Sequence, residues 1–258
     1  GLRVGGEIEF GTTLLFDSLD DLADMTLSGL ACGRLDFEAS GSSVDAALKL
    51  RISEQTLDEG PESFVDEAFV RIYLGPVDLE GGLLKVAWGR ADSQGPLDVL
   101  NPDDLTDLTV TDERERKIAQ PMLRASVAMG ERSRLEALFV VGFEGDRIAW
   151  DGPWAPLAVR ELKKAVAGLG VDPTDPQRVL DTPDTESLGW AQGGVRFTTT
   201  LGAADLGGQL FSGYLPTPVV ASDLASMLAL AGGTPLPVSY DRFYQAGADF
   251  TAVVDGLN

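Results

Sequence analysis

The feature that most constrains this chain is a period-two alternation that recurs in segment after segment and carries charged residues in mid-segment. A strand places residues i, i+2 and i+4 on one face. From Leu27 to Ala39 the odd positions read Leu27, Gly29, Ala31, Gly33, Leu35, Phe37 and Ala39, while the even ones include Ser28, Cys32, Arg34, Asp36 and Glu38. A turn at Ser40–Gly41–Ser42–Ser43 resets the phase, and Val44, Ala46, Leu48, Leu50 and Ile52 then alternate with Asp45, Lys49, Arg51 and Ser53. This is a hairpin with one apolar and one charged face.

The same pattern sets Ala68, Val70, Ile72 and Leu74 against Glu67, Arg71 and Tyr73. After a turn at Gly75–Asp78, it sets Gly82, Leu84, Val86 and Trp88 against Lys85 and Gly89. Leu123, Ala125, Val127 and Met129 oppose Arg124 and Ser126; beyond Gly130–Ser133, Leu135, Ala137, Phe139, Val141 and Phe143 oppose Glu136 and Glu144. Ala191, Gly193, Val195 and Phe197 alternate with Gln192, Arg196 and Thr198, and a turn near Gly202–Ala203 leads to a weaker strand through Tyr214. A final strand from Tyr240 to Val254 sets Ala246, Ala248, Phe250 and Ala252 against Gln245, Asp249 and Thr251. About ten antiparallel strands are expected from this periodicity.

Two architectures accept such strands, a soluble β-sandwich and a membrane β-barrel. The apolar face mixes Ala and Gly with Leu and Val, which suits a thin lipid-facing band better than an interlocking core. Connections alternate in length. Short turns fall near 41, 77, 131 and 203, and long connections span 92–121, 145–187 and 216–238, as in barrels with short turns on one side and long loops on the other. The expected fold is therefore all-β, an antiparallel transmembrane β-barrel with short helices in long loops, residues 1–258 forming a single barrel domain.

Composition removes several alternatives. Forty-one acids against twenty bases leave a formal charge of −21 with no histidine, which argues against nucleic acid as a partner and removes the commonest proton shuttle and zinc ligand. Without histidine the Ser-His-Asp hydrolase arrangement is excluded. Cys32 is the sole cysteine, so no internal disulfide forms. No apolar run approaches the roughly 20 residues of a membrane helix, and no basic n-region with an apolar core opens the chain. On hydropathy alone it reads as a soluble acidic protein, a reading that leaves the alternation unexplained.

Three loop segments have helical character: Pro156–Gly170, Ser222–Ala231 with Ser222–Asp223 as its cap, and a turn from Asp17 to Asp24. Such helices either cover the rim or fold inward as a plug, and burial of an apolar face against the rim is the simpler outcome. Asp172, Asp175, Asp181, Asp184 and Glu186 cluster in one loop, and Asp103, Asp104, Asp107 and Asp112 in another. Neither matches an EF-hand spacing, so both read as solvated loops rather than Ca²⁺ sites. No metal, cofactor or enzymatic activity is expected. A carboxylate pair such as Glu67 with Glu136 is the one formal glycosidase option, and no spacing supports it.

The candidate lumen-lining residues are Arg34, Lys49, Arg51, Glu67, Arg71, Lys85, Arg124, Glu136 and Arg196. Unpaired, the cations attract anionic solutes; paired with Asp36, Glu38, Asp45, Glu67, Glu136 and Asp249, they brace the wall.

A resemblance supplies a family. Asp66-Glu67-Ala68-Phe69-Val70-Arg71-Ile72-Tyr73-Leu74-Gly75 is followed by Lys85-Val86-Ala87-Trp88-Gly89-Arg90-Ala91-Asp92 and Asp98-Val99-Leu100-Asn101-Pro102-Asp103-Asp104. This resembles a large bacterial outer-membrane β-barrel family of unknown function with a WG…NP.D loop, itself similar to alginate-export-type barrels. Pro121-Met122-Leu123-Arg124, Gly193-Gly194-Val195-Arg196-Phe197, Gly213-Tyr214 and Gly247-Ala248-Asp249-Phe250 fit in the same order, so the resemblance spans roughly 60–255. Such barrels continue for more strands, so the chain is expected to be the N-terminal part of a larger one, incomplete at its C-terminus.

The resemblance implies a cell outer-membrane location in a Gram-negative-type envelope, contact with membrane lipid and a lipopolysaccharide-type outer leaflet, and passive transport or export of a small or anionic solute. The alternative is a surface interaction protein whose long acidic loops bind a protein partner, the barrel serving as anchor. In the loop motif of Trp88, Gly89, Asn101, Pro102 and Asp104, Trp88 is expected near a membrane interface. Asn101 is expected to cap its own backbone while Pro102 fixes φ, folding the loop against the wall.

Overall fold

The computed structural model describes residues 1–15, 26–89, 96–110 and 112–252. The segment Asp17–Asp24, read above as helical, lies outside them. The chain divides into two compact units, Gly1–Leu84 and Lys85–Asn258, and each is built on five long antiparallel strands joined in sequence.

In the first unit these are β1 (Leu2–Leu15), β2 (Thr26–Ser40), β3 (Val44–Ser53), β4 (Val65–Leu74) and β5 (Val77–Leu84). The helix α1 (Glu54–Glu59) joins β3 to β4. It starts at Ser53, whose hydroxyl accepts from the Thr56 amide while the Thr56 hydroxyl accepts from the Ser53 amide at 2.8 Å, a reciprocal cap that satisfies two otherwise orphaned donors. Strand β1 was not read from the sequence. It pairs with β2 from Leu2↔Ala39 to Leu15↔Thr26, and its own alternation of Leu2, Val4, Ile8 and Phe10 with Arg3, Glu7 and Glu9 is as regular as the others.

Register sets the faces. Phe37 lies opposite Leu48 and Asp36 opposite Lys49; Lys49 lies opposite Glu67 and Arg71 opposite Glu80. Between β4 and β5 the turn has two residues, Gly75 and Pro76, with Leu74 paired to Val77. Gly75 takes φ 69°, and Pro76 cannot, so the turn is of type II′. That register overturns the expected phase of the return strand. Leu79 shares the apolar face with Ile72, whereas Glu80 and Leu84 lie on the charged face and are buried. Because β5 ends at Leu84, its alternation does not extend to Val86 and Trp88.

The second unit contains, in order, β6 (Asp104–Leu105), α2 (Glu113–Arg116), β7 (Gln120–Ala128), β8 (Ser133–Val140), β9 (Arg147–Ile148), α3 (Leu157–Gly168), α4 (Pro176–Val179) and β10 (Leu180–Asp181). It continues with β11 (Gln192–Leu201), β12 (Ala204–Tyr214), β13 (Val219–Val220), α5 (Leu224–Ala231), β14 (Leu236–Ser239) and β15 (Arg242–Ala252). The long strands run β7-β8-β11-β12-β15. Short turns, 129–132 and 202–203, lie at one end, while connections 141–191 and 215–241 leave the other.

The two expected loop helices form, as α3 and α5. The Asp223 carboxylate caps α5 by accepting from the amides of Ala225 and Ser226 at 2.9 and 3.1 Å. The helices bury apolar residues in a small core of their own. Val166, Val179, Leu230 and Leu236 are buried there, with Trp150, Leu162 and Met227 packed around them. A three-stranded sheet, β10-β14-β13, completes this subdomain. Strand β8 stops at Val140, short of the expected Phe143, because Phe143 turns into an aromatic cluster with Trp190, Tyr214 and Tyr240 at centroid distances of 6.0, 5.4 and 4.7 Å.

The sheet of this unit is inside out by the standards of a water-soluble fold. On adjacent strands Phe139 is 42% exposed and Phe197 40%, whereas Glu136 is 7% and Arg196 6% exposed. Leu123, Leu135, Val195, Leu210 and Phe250 share the open face; Ser126, Gln192 and Gln209 share the covered one. Soluble antiparallel sheets do the reverse, covering the apolar face and leaving the polar one to water.

Candidate functional site

The covered, charged faces hold nearly every candidate residue, and there the cations meet acids. In the first unit Lys49 donates to Glu67 and Arg71 to Glu80 at 2.5 Å. The Tyr73 hydroxyl donates to Asp45 at 2.6 Å, and Arg34 pairs with Glu9 at 3.7 Å and Glu7 at 3.9 Å. Arg51 lies opposite Arg34 in the register, half-buried.

In the second unit Arg124 reaches diagonally to Glu136, which lies beside its direct partner Leu138, within the span of a long side chain. Arg196 donates to Gln209 at 2.5 Å and to Asp249 at 2.6 Å. Gln209 in turn donates to Gln245 at 2.9 Å and to the Leu97 carbonyl at 2.8 Å. Guanidinium and carboxylate groups this far from water need such partners, since an uncompensated buried charge costs several kcal/mol. Lys85 is half-buried at the start of this unit, past the end of β5. The two glycosidase candidates fall in different units, with Glu67 bonded to Lys49 and Glu136 to Arg124 and Trp88.

What covers the polar face of the second sheet comes from the described residues 86–89, 96–110 and 112–118, above all Trp88, Pro96 and Leu97. Trp88 is 3% exposed, and its indole N–H donates to Glu136. Its ring lies where a side chain on Gly194 would be, 2.9 Å from the position of an added Cβ, and meets Phe211 edge-on at 6.4 Å. Leu97 fills the equivalent space over Gly247, and the Gln245 amide donates to the Pro96 carbonyl at 2.5 Å. The glycines of β11 and β15 thus make room for two apolar keys. A buried indole N–H requires an acceptor, and Glu136 on the polar face supplies it.

Asn101 holds this segment together by reaching both of its ends, a role beyond the local cap expected of it. Its side-chain oxygen accepts from the Val86 amide at 2.7 Å and its amide donates to the Ile118 carbonyl at 2.7 Å, stitching the two ends of the segment. Pro102 is buried and its carbonyl accepts from the Ile118 amide at 2.9 Å. Gly89 takes φ 112°, a region open to glycine. Asp104 pairs in β6 with Arg147 of β9, and its carboxylate accepts from the Thr106 amide at 3.0 Å.

Beside Asn101, Lys117 lies 3.4 Å from both Asp98 and Asp103 and donates to the Asn101 carbonyl at 3.2 Å. Asp146, from the connection after β8, accepts from the Asp103 amide at 2.9 Å and from the Thr217 hydroxyl at 3.3 Å. Burial pushes the Asp98 carboxyl above its ordinary range despite Lys117. Burial does the same to Asp146, against the pull of the Asp103 amide.

The acidic loop clusters are turn-makers. Asp172 accepts from the Thr174 amide at 3.0 Å, Asp107 from that of Thr109 at 2.9 Å and Asp184 from that of Glu186 at 3.1 Å. Asp112 and Asp175 cap α2 and α4. Each is a carboxylate satisfying backbone two residues on.

Sequence reasoning missed Gln120 and Gln209, buried on the polar face, and placed Gln192 on that face without making it a candidate. Gln192 and Gln209 share strand parity with charged neighbours, which was a usable signal. It also missed Lys117, Asp98 and Asp146, whose association follows from loop packing that no periodicity encodes. No protein-family model matches the chain, and no curated protein matches it in sequence. The family resemblance therefore rests on its motifs alone.

Proposed function

We propose that this chain is part of an outer-membrane β-barrel that conducts or exports a solute, with the charged face of its sheets turned to a lumen and the apolar face to lipid. The observation that carries the reading is the inverted burial of alternate residues, Phe139 and Phe197 open while Glu136 and Arg196 are covered. Soluble proteins rarely expose an apolar surface of that extent, and an outer-membrane wall requires it. Strand length agrees. Strands β3, β4 and β11 have ten residues and β12 and β15 eleven, against about 9–11 for a tilted membrane strand.

On this reading the charged face of each sheet is its lumen side: Arg34, Arg51 and Arg71 belong to that side of the first unit and Arg196 to that of the second, where Lys85 opens the chain and the subdomain of α3 and α5 stands on the long-loop side. Planar-bilayer recording of the purified chain tests it. Open-channel currents whose anion preference falls in an Arg51→Ala/Arg71→Ala variant support the pore, because removing fixed cations weakens the local field. A folded, membrane-inserted chain that never conducts overturns it.

One observation favours the anchor as a second reading. The pairs Lys49–Glu67, Arg71–Glu80, Arg124–Glu136 and Arg196–Asp249 neutralise the very cations that a selective pore would use, as a braced wall does. An inserted, non-conducting chain that binds a protein through residues 145–187 is the outcome this reading expects.

A further inference from the structure

We propose that Asp98, Asp103, Lys117 and Asp146 form a pH-responsive latch that holds residues 96–110 on the polar face of the second unit and tightens as the pH falls. That this regulates passage of a solute rests on the pore reading above; the latch itself does not.

The geometry is that of a junction between three connections. Segment 86–118 contributes Asp98, Asp103 and Lys117, the connection after β8 contributes Asp146, and the connection after β12 contributes Thr217. Lys117 bridges Asp98 and Asp103 at 3.4 Å each. Asp146 binds the Asp103 amide and the Thr217 hydroxyl through its two oxygens, and its own amide donates to the Pro216 carbonyl at 2.9 Å. The Arg147 amide closes the junction by donating to the Asp103 carbonyl at 3.0 Å. If Asp146 lets go, the side-chain link from Asp103 to Thr217 is lost, and the Arg147–Asp103 backbone bond with the β6–β9 pairing is left to hold the segment to the connection after β8.

The junction gathers like charges, Asp103 standing near both Asp98 and Asp146. Asp98 faces Lys117 and Asp103. Asp146 faces Asp103 and Lys117, with Glu144 and Tyr240 beyond it, and Glu144 is held by Arg147 at 3.1 Å. Lys117 meets Asp98 and Asp103, and Arg147 meets Glu144.

The sign follows from linkage. In the latched state burial holds Asp98 and Asp146 above the ordinary aspartate value of 3.8; in a released segment, open to water, they return towards it. The latched state therefore binds more protons. Its stability is greatest below the ordinary value and is lost as the pH rises through the raised ones. Protonated Asp146 keeps the Asp103 amide bond through one oxygen and donates to Thr217 through the other, so the tie survives neutralisation.

Hydrogen exchange on the whole chain in detergent micelles tests this, read at the backbone amides of residues 96–104 at about pH 4 and about pH 7 and corrected for intrinsic rates. Protection several-fold higher at the lower pH is expected, with amides of β11 showing no such slope. Asp98→Asn/Asp146→Asn, which mimics the neutral pair, should abolish the slope and leave the segment protected at both values. Asp98→Asn alone, which leaves the Asp146 hub intact, should reduce it. A native chain with no slope, or a slope that survives in both variants, overturns the latch. Bilayer recording in parallel separates the two readings: a slope without current at any pH removes the pore and leaves the latch standing.

Discussion

Arg196 and Asp249 meet across β12, their guanidinium nitrogen and carboxylate oxygen 2.6 Å apart on strands that are not neighbours. Gly207 of the intervening strand makes this possible, since an added Cβ there would lie 2.7 Å from the Arg196 nitrogen. Arg196→Met strands Asp249 in a covered site, and thermal unfolding in detergent should show a loss of about 3–5 kcal/mol, the range for breaking a buried pair. Arg196→Met/Asp249→Leu should recover most of it. Equal losses in single and double variants would show that the ion pair is not what the site depends on.

Asn101→Ala removes both bonds that stitch Val86 to Ile118. Leaving a buried amide and a carbonyl unsatisfied costs on the order of 1–3 kcal/mol each. The expected result is faster proteolysis within residues 86–118 with the strands of the second unit intact. Unchanged protease resistance would contradict the stitching role.

The two faces of β11 should respond oppositely to added charge. Val195→Lys places an amine on the open apolar face, where a lipid-facing position penalises it by about 2–4 kcal/mol near the bilayer midplane. The same substitution on a water-facing surface stays within about 0.5 kcal/mol. Unfolding in lipid vesicles distinguishes these outcomes directly.

Much of the sheet was legible because its period is two and its turns are short. Turn chemistry at Ser40–Ser43, Gly75–Pro76 and Gly202–Ala203 placed the hairpins that β2–β3, β4–β5 and β11–β12 form. The phase of β5 was misread because Gly81 and Gly82 supply no side chain to mark a face, and only pairing with β4 fixes Glu80 opposite Arg71. Trp88 and Asn101 were recognised as a motif, yet their roles depend on Glu136, Gly194 and Ile118, between 17 and 106 residues away in sequence. Local pattern carries no information about such contacts. The helices α3 and α5 were found by cap and apolar content, whereas their mutual packing came from the fold.

The central claim is that lipid touches the apolar face. Single cysteines at 195, 196, 197 and 198, placed one at a time in a Cys32→Ser background and reconstituted in vesicles, can be labelled with a fluorophore and challenged with lipid-phase and aqueous quenchers. The lipid-phase quencher should reach 195 and 197 and spare 196 and 198. Aqueous quenching at 195 and 197, or lipid-phase quenching at 196, would contradict it.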